Sequence, residues 1–223
     1  MKWHVNIGMG AENYRFHDHE KLAHYANAAT DIEFNFPFGF KELEGIHSRT
    51  NWDLGNHQKF SGRKIEYFDP EEGAAYTPYV VETSIGVDRM VLAVLSHSLK
   101  EEKLDNGETR VVLSIPAPLA PVKAAVLPLV KKDGLPELAQ KVMDELKYDF
   151  NCQYEEKDSI GKRYRRQDAI GTPFCITVDH QSLEDGCVTV RERDTMTQER
   201  VKIEDLRALI DKRVNLNNLL RNL

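Results

Sequence analysis

Long apolar runs are missing from this chain: no stretch of about 18 apolar residues occurs, which excludes a transmembrane helix. The opening Met1-Lys2-Trp3-His4-Val5-Asn6 has no charged leader followed by an apolar core, so no secretory signal is expected. Cysteine is scarce. Cys152, Cys175 and Cys187 form no C-x-x-C pair, a usage that fits reduced thiols in a cytoplasmic protein and not a cysteine-rich zinc site. Also absent are the G-x-S-x-G, H-E-x-x-H and phosphate-loop patterns, so hydrolase and P-loop readings lack support. Neither internal repeats nor low-complexity tracts occur. At 223 residues there is enough chain for two modest domains or one large one.

What is present is charge, unevenly spread. The net charge of −6 argues against a general nucleic-acid coat. Residues 1–108 hold 11 basic and 18 acidic side chains, whereas 109–223 hold 19 and 18. The second half includes the cluster Lys162-Arg163-Tyr164-Arg165-Arg166. An RNA contact there is electrostatically permitted, while the first half has to bind through specific geometry.

The opening ~30 residues have weak periodicity and stay unassigned. Ile32, Phe34 and Phe36 then alternate with polar residues as in a half-buried strand. After a turn at Pro37-Phe38-Gly39, Phe40, Glu42, Glu44 and Ile46 share one parity, so a strand there is expected to aim two carboxylates at one face. Asn51 to Phe60 reads as a helix stopped near Gly62, and Tyr79–Ser84 as a strand broken by Gly86. An apolar helix is expected from Met90 to about Lys100. Val111–Ile115 is a buried strand, and Pro116, Pro118 and Pro121 mark a domain boundary. Beyond it the expected order is strand 122–127, helix 135–146, strand 150–154 and helix 160–169. Strands 174–178, 187–193 and 199–203 follow, with a closing helix to about 220. Strands alternating with helices, then a hairpin, make a mixed-sheet α/β domain.

The feature richest in chemistry is Glu82-Thr83-Ser84-Ile85-Gly86-Val87-Asp88-Arg89. Glu82 and Ser84, two apart on a strand, point to the same side, and together suit a small ammonium group. Gly86 allows close approach of a ligand or backbone. The Arg89 guanidinium suits a base or a phosphate. A strand end followed by a helix with Asp88 in its first turn explains the same residues without a ligand. Taken by themselves, the residues leave both readings open.

This segment resembles motif 3 of class II aminoacyl-tRNA synthetases, in the form found in dimeric, eukaryote-like glycyl-tRNA synthetases. The upstream text is similar to that family in order and spacing: Ala23-His24-Tyr25-Ala26, Phe36-Pro37-Phe38-Gly39-Phe40-Lys41-Glu42-Leu43-Glu44-Gly45-Ile46 and Arg49-Thr50-Asn51-Trp52-Asp53-Leu54. So is the later text, through Ile160-Gly161-Lys162-Arg163-Tyr164 and Thr189-Val190-Arg191-Glu192-Arg193-Asp194. The resemblance covers nearly the whole chain. It implies part of an antiparallel catalytic sheet over residues 1–120 and an α/β anticodon-binding domain over 121–223.

Carried over by position, the resemblance implies an ATP site with Glu42, Leu43, Gly86, Val87, Asp88 and Arg89. It implies a glycine pocket from Glu82, Thr83, Ser84, Ile85 and Gly86, in which Thr83 stands where the family usually has proline. It further implies ATP and Mg²⁺ as cofactors, glycine and tRNA-Gly as partners, a homodimer and a cytoplasmic location. In an anticodon-binding domain, Lys162, Arg163, Arg165 and Arg166 become candidate RNA contacts, with Arg191, Arg193 and Asp194 as base readers.

Motifs 1 and 2 have no counterpart before residue 31, so the chain is expected to be a carboxy-terminal piece that is inactive alone. The alternative is a non-catalytic, synthetase-like accessory or tRNA-binding protein. Retention of Glu82, Ser84 and Arg89 favours the enzyme lineage. His17-Asp18-His19 has metal-binding chemistry but no third ligand at useful spacing, and Asp53 with His57 reads as a structural hydrogen bond.

Overall fold

The computed structural model describes residues 1–104 and 107–221. In chain order the elements begin with the short turn α1 (Lys2–His4), β1 (Tyr14–Asp18), β2 (Ala28–Phe36), β3 (Gly39–Ser48) and α2 (Trp52–Ser61). There follow β4 (Tyr67–Asp69), β5 (Ala74–Tyr76), β6 (Val81–Ile85), α3 (Val87–Ser98), β7 (Leu99–Lys103) and β8 (Thr109–Leu113). The remainder is β9 (Ala124–Pro128), α4 (Leu135–Leu146), β10 (Cys152–Tyr154), α5 (Ile160–Ile170), β11 (Phe174–Val178), α6 (Ser182–Asp185), β12 (Cys187–Glu192), β13 (Gln198–Lys202), α7 (Leu206–Val214) and α8 (Leu216–Leu220).

These elements form two compact units, one of Met1 with Gly10–Ser96 and the other of Lys2–Met9 with His97–Leu223. The first is built on an antiparallel sheet in the order β1-β2-β3-β6. Ile32, Phe34 and Phe36 bury one face of β2, as their alternation requires, and Tyr14 meets Phe34 edge-on with ring centroids 5.2 Å apart. A β-bulge interrupts the pairing of β2 with β3: Ile32 faces Glu44, but Glu33 faces Glu42. One residue, Leu43, is extra on β3, and the side-chain phase reverses across it. Beyond β3, α2 stops at Gly62, which takes a left-handed conformation.

The second unit holds a five-stranded mixed sheet in the order β10-β9-β11-β12-β13. β9 runs parallel to β10 and β11, and the other pairs are antiparallel. Every residue of β9 and β11 is buried, which is why both read as continuous apolar runs and not as alternating ones. Helix α4 opens with Gly134 in a left-handed conformation and Pro136 in its first turn. Its Leu135, Ala139, Val142 and Leu146 recur at helical spacing and pack into the core with Ile176, Val188, Leu206 and Ile210. Gly171, with φ 85°, ends α5, and a Cβ there would stand 2.9 Å from Ile115 Cγ2 and 3.0 Å from the Leu113 carbonyl. The β7–β8 hairpin belongs to this second unit, so the two units divide ahead of the proline-spaced stretch.

Several elements differ from the sequence expectations. β1, the β4–β5 hairpin and α6 were not anticipated, and the apolar helix stops at Ser98, where β7 begins. The expected closing helix is three pieces. A short turn at Ile203–Asp205 leads into α7, and Asn215 ends α7 and caps α8 by accepting from the Asn217 N–H at 2.9 Å.

Candidate functional site

The strand registers decide which side chains share a face. β6 lies against β3 with Glu82 opposite His47 and Ser84 opposite Gly45, and on the other side of β3 Gly45 lies opposite Asp31. Glu82, Ser84, His47 and Asp31 therefore project from one face of the sheet. The bulge adds Glu42 to that face, through its pairing with Glu33, and sends Glu44 to the other. The expectation that Glu42 and Glu44 point together is corrected by this one-residue phase change. Glu44 instead accepts a hydrogen bond from the Thr83 hydroxyl, so Thr83 serves the opposite face from Glu82 and Ser84.

Glu82 is held by Arg49, whose Nη1 lies 3.2 Å from a carboxylate oxygen. Arg49 is itself fixed by two bonds to Asp53, at 2.7 and 3.0 Å, and stacks over the Tyr25 ring at 4.2 Å. Those hydrogen bonds hold the Asp53 carboxyl below its ordinary range. Arg49 was quoted in the family pattern without a role, because nothing local in the sequence links it to Glu82. Asp53 pairs with Arg49 and not with His57 through a hydrogen bond.

Next to Ser84, a cleft of about 370 Å³ is lined by Glu42, Leu43, Ser84, Ile85 and Gly86 through Arg89. All six residues expected at the ATP site line it. Arg89 Nη1 donates to the Glu42 carbonyl at 2.7 Å and lies 3.2 Å from its carboxylate. Gly86 leaves room at the mouth of the cleft, where a Cβ would meet only the Arg89 side chain at 3.6 Å. A larger hollow, about 470 Å³, is lined by Asp18, His19, Asn27, Thr30 and Ser48 together with the apolar Leu22, Ala28, Ala29, Ile46 and Val81. The smaller cleft sets Glu42 and Asp88 against Arg89 around one opening, and convergent polar groups of this kind fix a ligand's orientation.

In the second unit the basic residues separate into two sets. Arg163 is 2% exposed and donates to the carbonyls of Pro128 at 2.6 Å and Leu129 at 3.1 Å. Arg191 is buried, bound to Asp168 at 2.8 and 3.0 Å and stacked on Tyr164. Arg193 is buried too, donating to the carbonyls of Gly171 and Ile115 and to Asp194. These three were expected to contact RNA, and the structure corrects this: their guanidinium groups are buried and bonded inside the unit, with the Arg163 Nε left unpartnered there. Lys162 and Asp194 are exposed, and Arg165 and Arg166 are partly exposed, although Arg166 is paired with Glu155 and Asp158. Asp168 organises the buried set, also lying 3.1 Å from Arg110 Nη1.

A family described as an anticodon binding domain matches residues 123–213. The RNA binding domain of threonyl-tRNA synthetase from Cryptosporidium parvum Iowa II shares the fold, with a TM-score of 0.66 at 20% identity, covering 86% of this chain and 44% of that one. Proteins named glycine–tRNA ligase are much more similar in sequence. The Borrelia hermsii protein is 53% identical over 204 residues, covering 90% of this chain and 46% of its own length. The Clostridium perfringens protein is 55% identical over 214 residues, covering 93% and 45%. This chain thus spans a little under half the length of the curated relatives it matches. With that identity sustained along 90% and 93% of its residues, the chain is a relative of part of these glycine–tRNA ligases.

Proposed function

We propose that this chain supplies one side of an aminoacylation site and an RNA-reading domain to an enzyme that joins glycine to tRNA-Gly through glycyl-adenylate. The observation that carries the reading is the shared face of Glu82 and Ser84 beside the Glu42–Arg89 cleft. Glu82 takes the glycine ammonium by a charge-assisted bond, with its carboxylate oriented by Arg49. Ser84 adds a donor and acceptor at the strand end. Arg89, anchored through Glu42, presents a flat cation for the adenine ring. Thr83 and Ile85, assigned to the pocket by resemblance, support it from the opposite face. The oxygen-rich lining from Glu42, Ser84 and Asp88 fits Mg²⁺, which would neutralise triphosphate charge when bound. Acceleration then rests on positioning and on charge stabilisation, with no covalent enzyme intermediate.

Lys162, Arg165, Arg166 and Asp194 remain the candidate RNA contacts of the second unit. A homodimer and a cytoplasmic location are part of the same proposal. Among the described residues, no helix is long and apolar enough to cross a membrane.

The test is glycine-dependent ATP–pyrophosphate exchange by a complete ligase carrying these residues. Glu82→Gln keeps the shape and removes the charge, and should raise the glycine KM about 10- to 100-fold, equivalent to roughly 1.5–3 kcal/mol. Unchanged KM and kcat would reject Glu82 as the ammonium ligand. The 223-residue chain alone, spanning under half of its relatives, should give no exchange.

A further inference from the structure

On the same face of the first sheet, three metal-binding side chains from separate segments converge. His19 follows β1, held beside β2 by its N–H bond to the Ala29 carbonyl at 3.1 Å; Asp31 lies in β2 and His47 in β3. One donor atom from each lies within 4.8 Å of the others. His19 Nε2 is 2.9 Å from the Asp31 carboxylate, and the His19 and His47 rings meet edge-on with centroids 5.8 Å apart. Two further observations point to a ligand. His47 Nδ1 is buried with no hydrogen-bond partner, and its acidic neighbour, Glu82 Oε1, is 3.9 Å away, beyond hydrogen-bonding range. In addition, Gly45 keeps the space between the ligands clear: a Cβ there would stand 2.9 Å from His47 Cε1 and 3.5 Å from Asp31 Oδ1.

We propose that His19, Asp31 and His47 bind a zinc ion. Two imidazoles and a carboxylate are a donor set zinc accepts, commonly with one coordination position left open. Magnesium and calcium prefer all-oxygen surroundings, so they are poor occupants of this site. Ligands about 2.0–2.1 Å from a tetrahedral ion stand roughly 3.3 Å apart, so binding draws the three groups inward by an ångström or so. The site borders Glu82 but does not depend on the glycine-pocket reading, and either assignment can fail without the other.

The experiment is calorimetric titration of the metal-stripped 223-residue chain with Zn²⁺, alongside Co²⁺ substitution read by visible absorption. The expected result is one ion per chain and a cobalt spectrum of a four- or five-coordinate site without a thiolate charge-transfer band. His19→Ala and His47→Ala should each weaken binding more than tenfold, since even outer-sphere changes cost about that much. His57→Ala, on an exposed helix position, should leave it unchanged. Circular dichroism checks that each variant folds. Should one unfold, ring-nitrogen NMR of the parent replaces it: the His19 and His47 resonances must shift on zinc addition. No binding, binding through a cysteine, unshifted resonances, or variants that bind as the parent does would each overturn the proposal.

Discussion

The two units solve the problem of a polar interior differently. In the second, β9 and β11 are buried along their whole length, and Arg110, Arg163, Arg191 and Arg193 are drawn inside with every guanidinium engaged. In the first, β6 has no buried residue, nor has α2, and apolar Val81, Val87 and Phe60 are 69%, 73% and 81% exposed. Of these, Val87 lines the cleft beside Ser84 and Val81 lines the larger hollow. The comparison teaches that charge means opposite things in the two halves. In the closed unit the cations are structural; in the open unit Glu42 and Glu82, though paired with Arg89 and Arg49, stay partly exposed on the sheet face, where a ligand can reach them.

Replacing Asp168 should break the closed unit most severely. Asp168→Asn leaves Arg110 and Arg191 without their buried counter-charge and should cost about 3–5 kcal/mol in urea unfolding. The matching change in the open unit, Glu42→Gln, removes an ion pair whose side chains are half exposed and should cost less than about 1 kcal/mol. Equal losses from the two changes would erase the distinction between the units.

Substituting Lys162, Arg165 and Arg166 together sharpens the comparison on the RNA side. Affinity for every tRNA should fall, and the slope of log affinity against log salt should lessen by about 1 or more. Arg163→Gln should instead appear as lost stability, with salt dependence unchanged in the molecules that remain folded. A stable Arg163 variant with weakened RNA binding would return that residue to the surface set.

The smallest effect concerns the thiols. Burial pushes the Cys175 thiol up to about 12 and Cys152 to about 11. In the unfolded chain a thiol loses its proton near pH 9, so the stabilisation from a neutral Cys175 is complete below that and fades as pH rises towards 12. Native-state alkylation at pH 8 followed by mass spectrometry should therefore leave Cys175 unmodified until denaturant is added. Rapid labelling of Cys175 in the native chain would show that the second core opens readily.

Much of this architecture could be read locally. Helix α4 announces itself by Gly134, Pro136 and its apolar spacing, and β2 by the alternation of Ile32, Phe34 and Phe36. The pair Glu82 and Ser84 was legible for the same reason, since the strand period fixes their common side. What escaped was non-local. Nothing near Lys162–Arg166 reveals that Arg163 ends among the carbonyls of Pro128 and Leu129, or that Arg191 finds Asp168 on another element. His17-Asp18-His19 suggested a metal without its partners, because Asp31 and His47 reach His19 only through strand pairing. β1 escaped because four of its five residues are exposed, leaving no apolar rhythm to detect.

The bulge at Leu43 has a consequence for how this surface can change over generations. In an unbroken strand, Glu42 and Glu44 would crowd one side and any drift in one would disturb the other. The extra residue uncouples them, giving Glu42 to the cleft with Arg89 and Glu44 to Thr83 on the reverse of the sheet. Selection can then tune the ligand-facing acid while the acid two positions away keeps its separate bond to β6. Loss of the single residue Leu43 would merge the two tasks and exchange which face each strand segment serves.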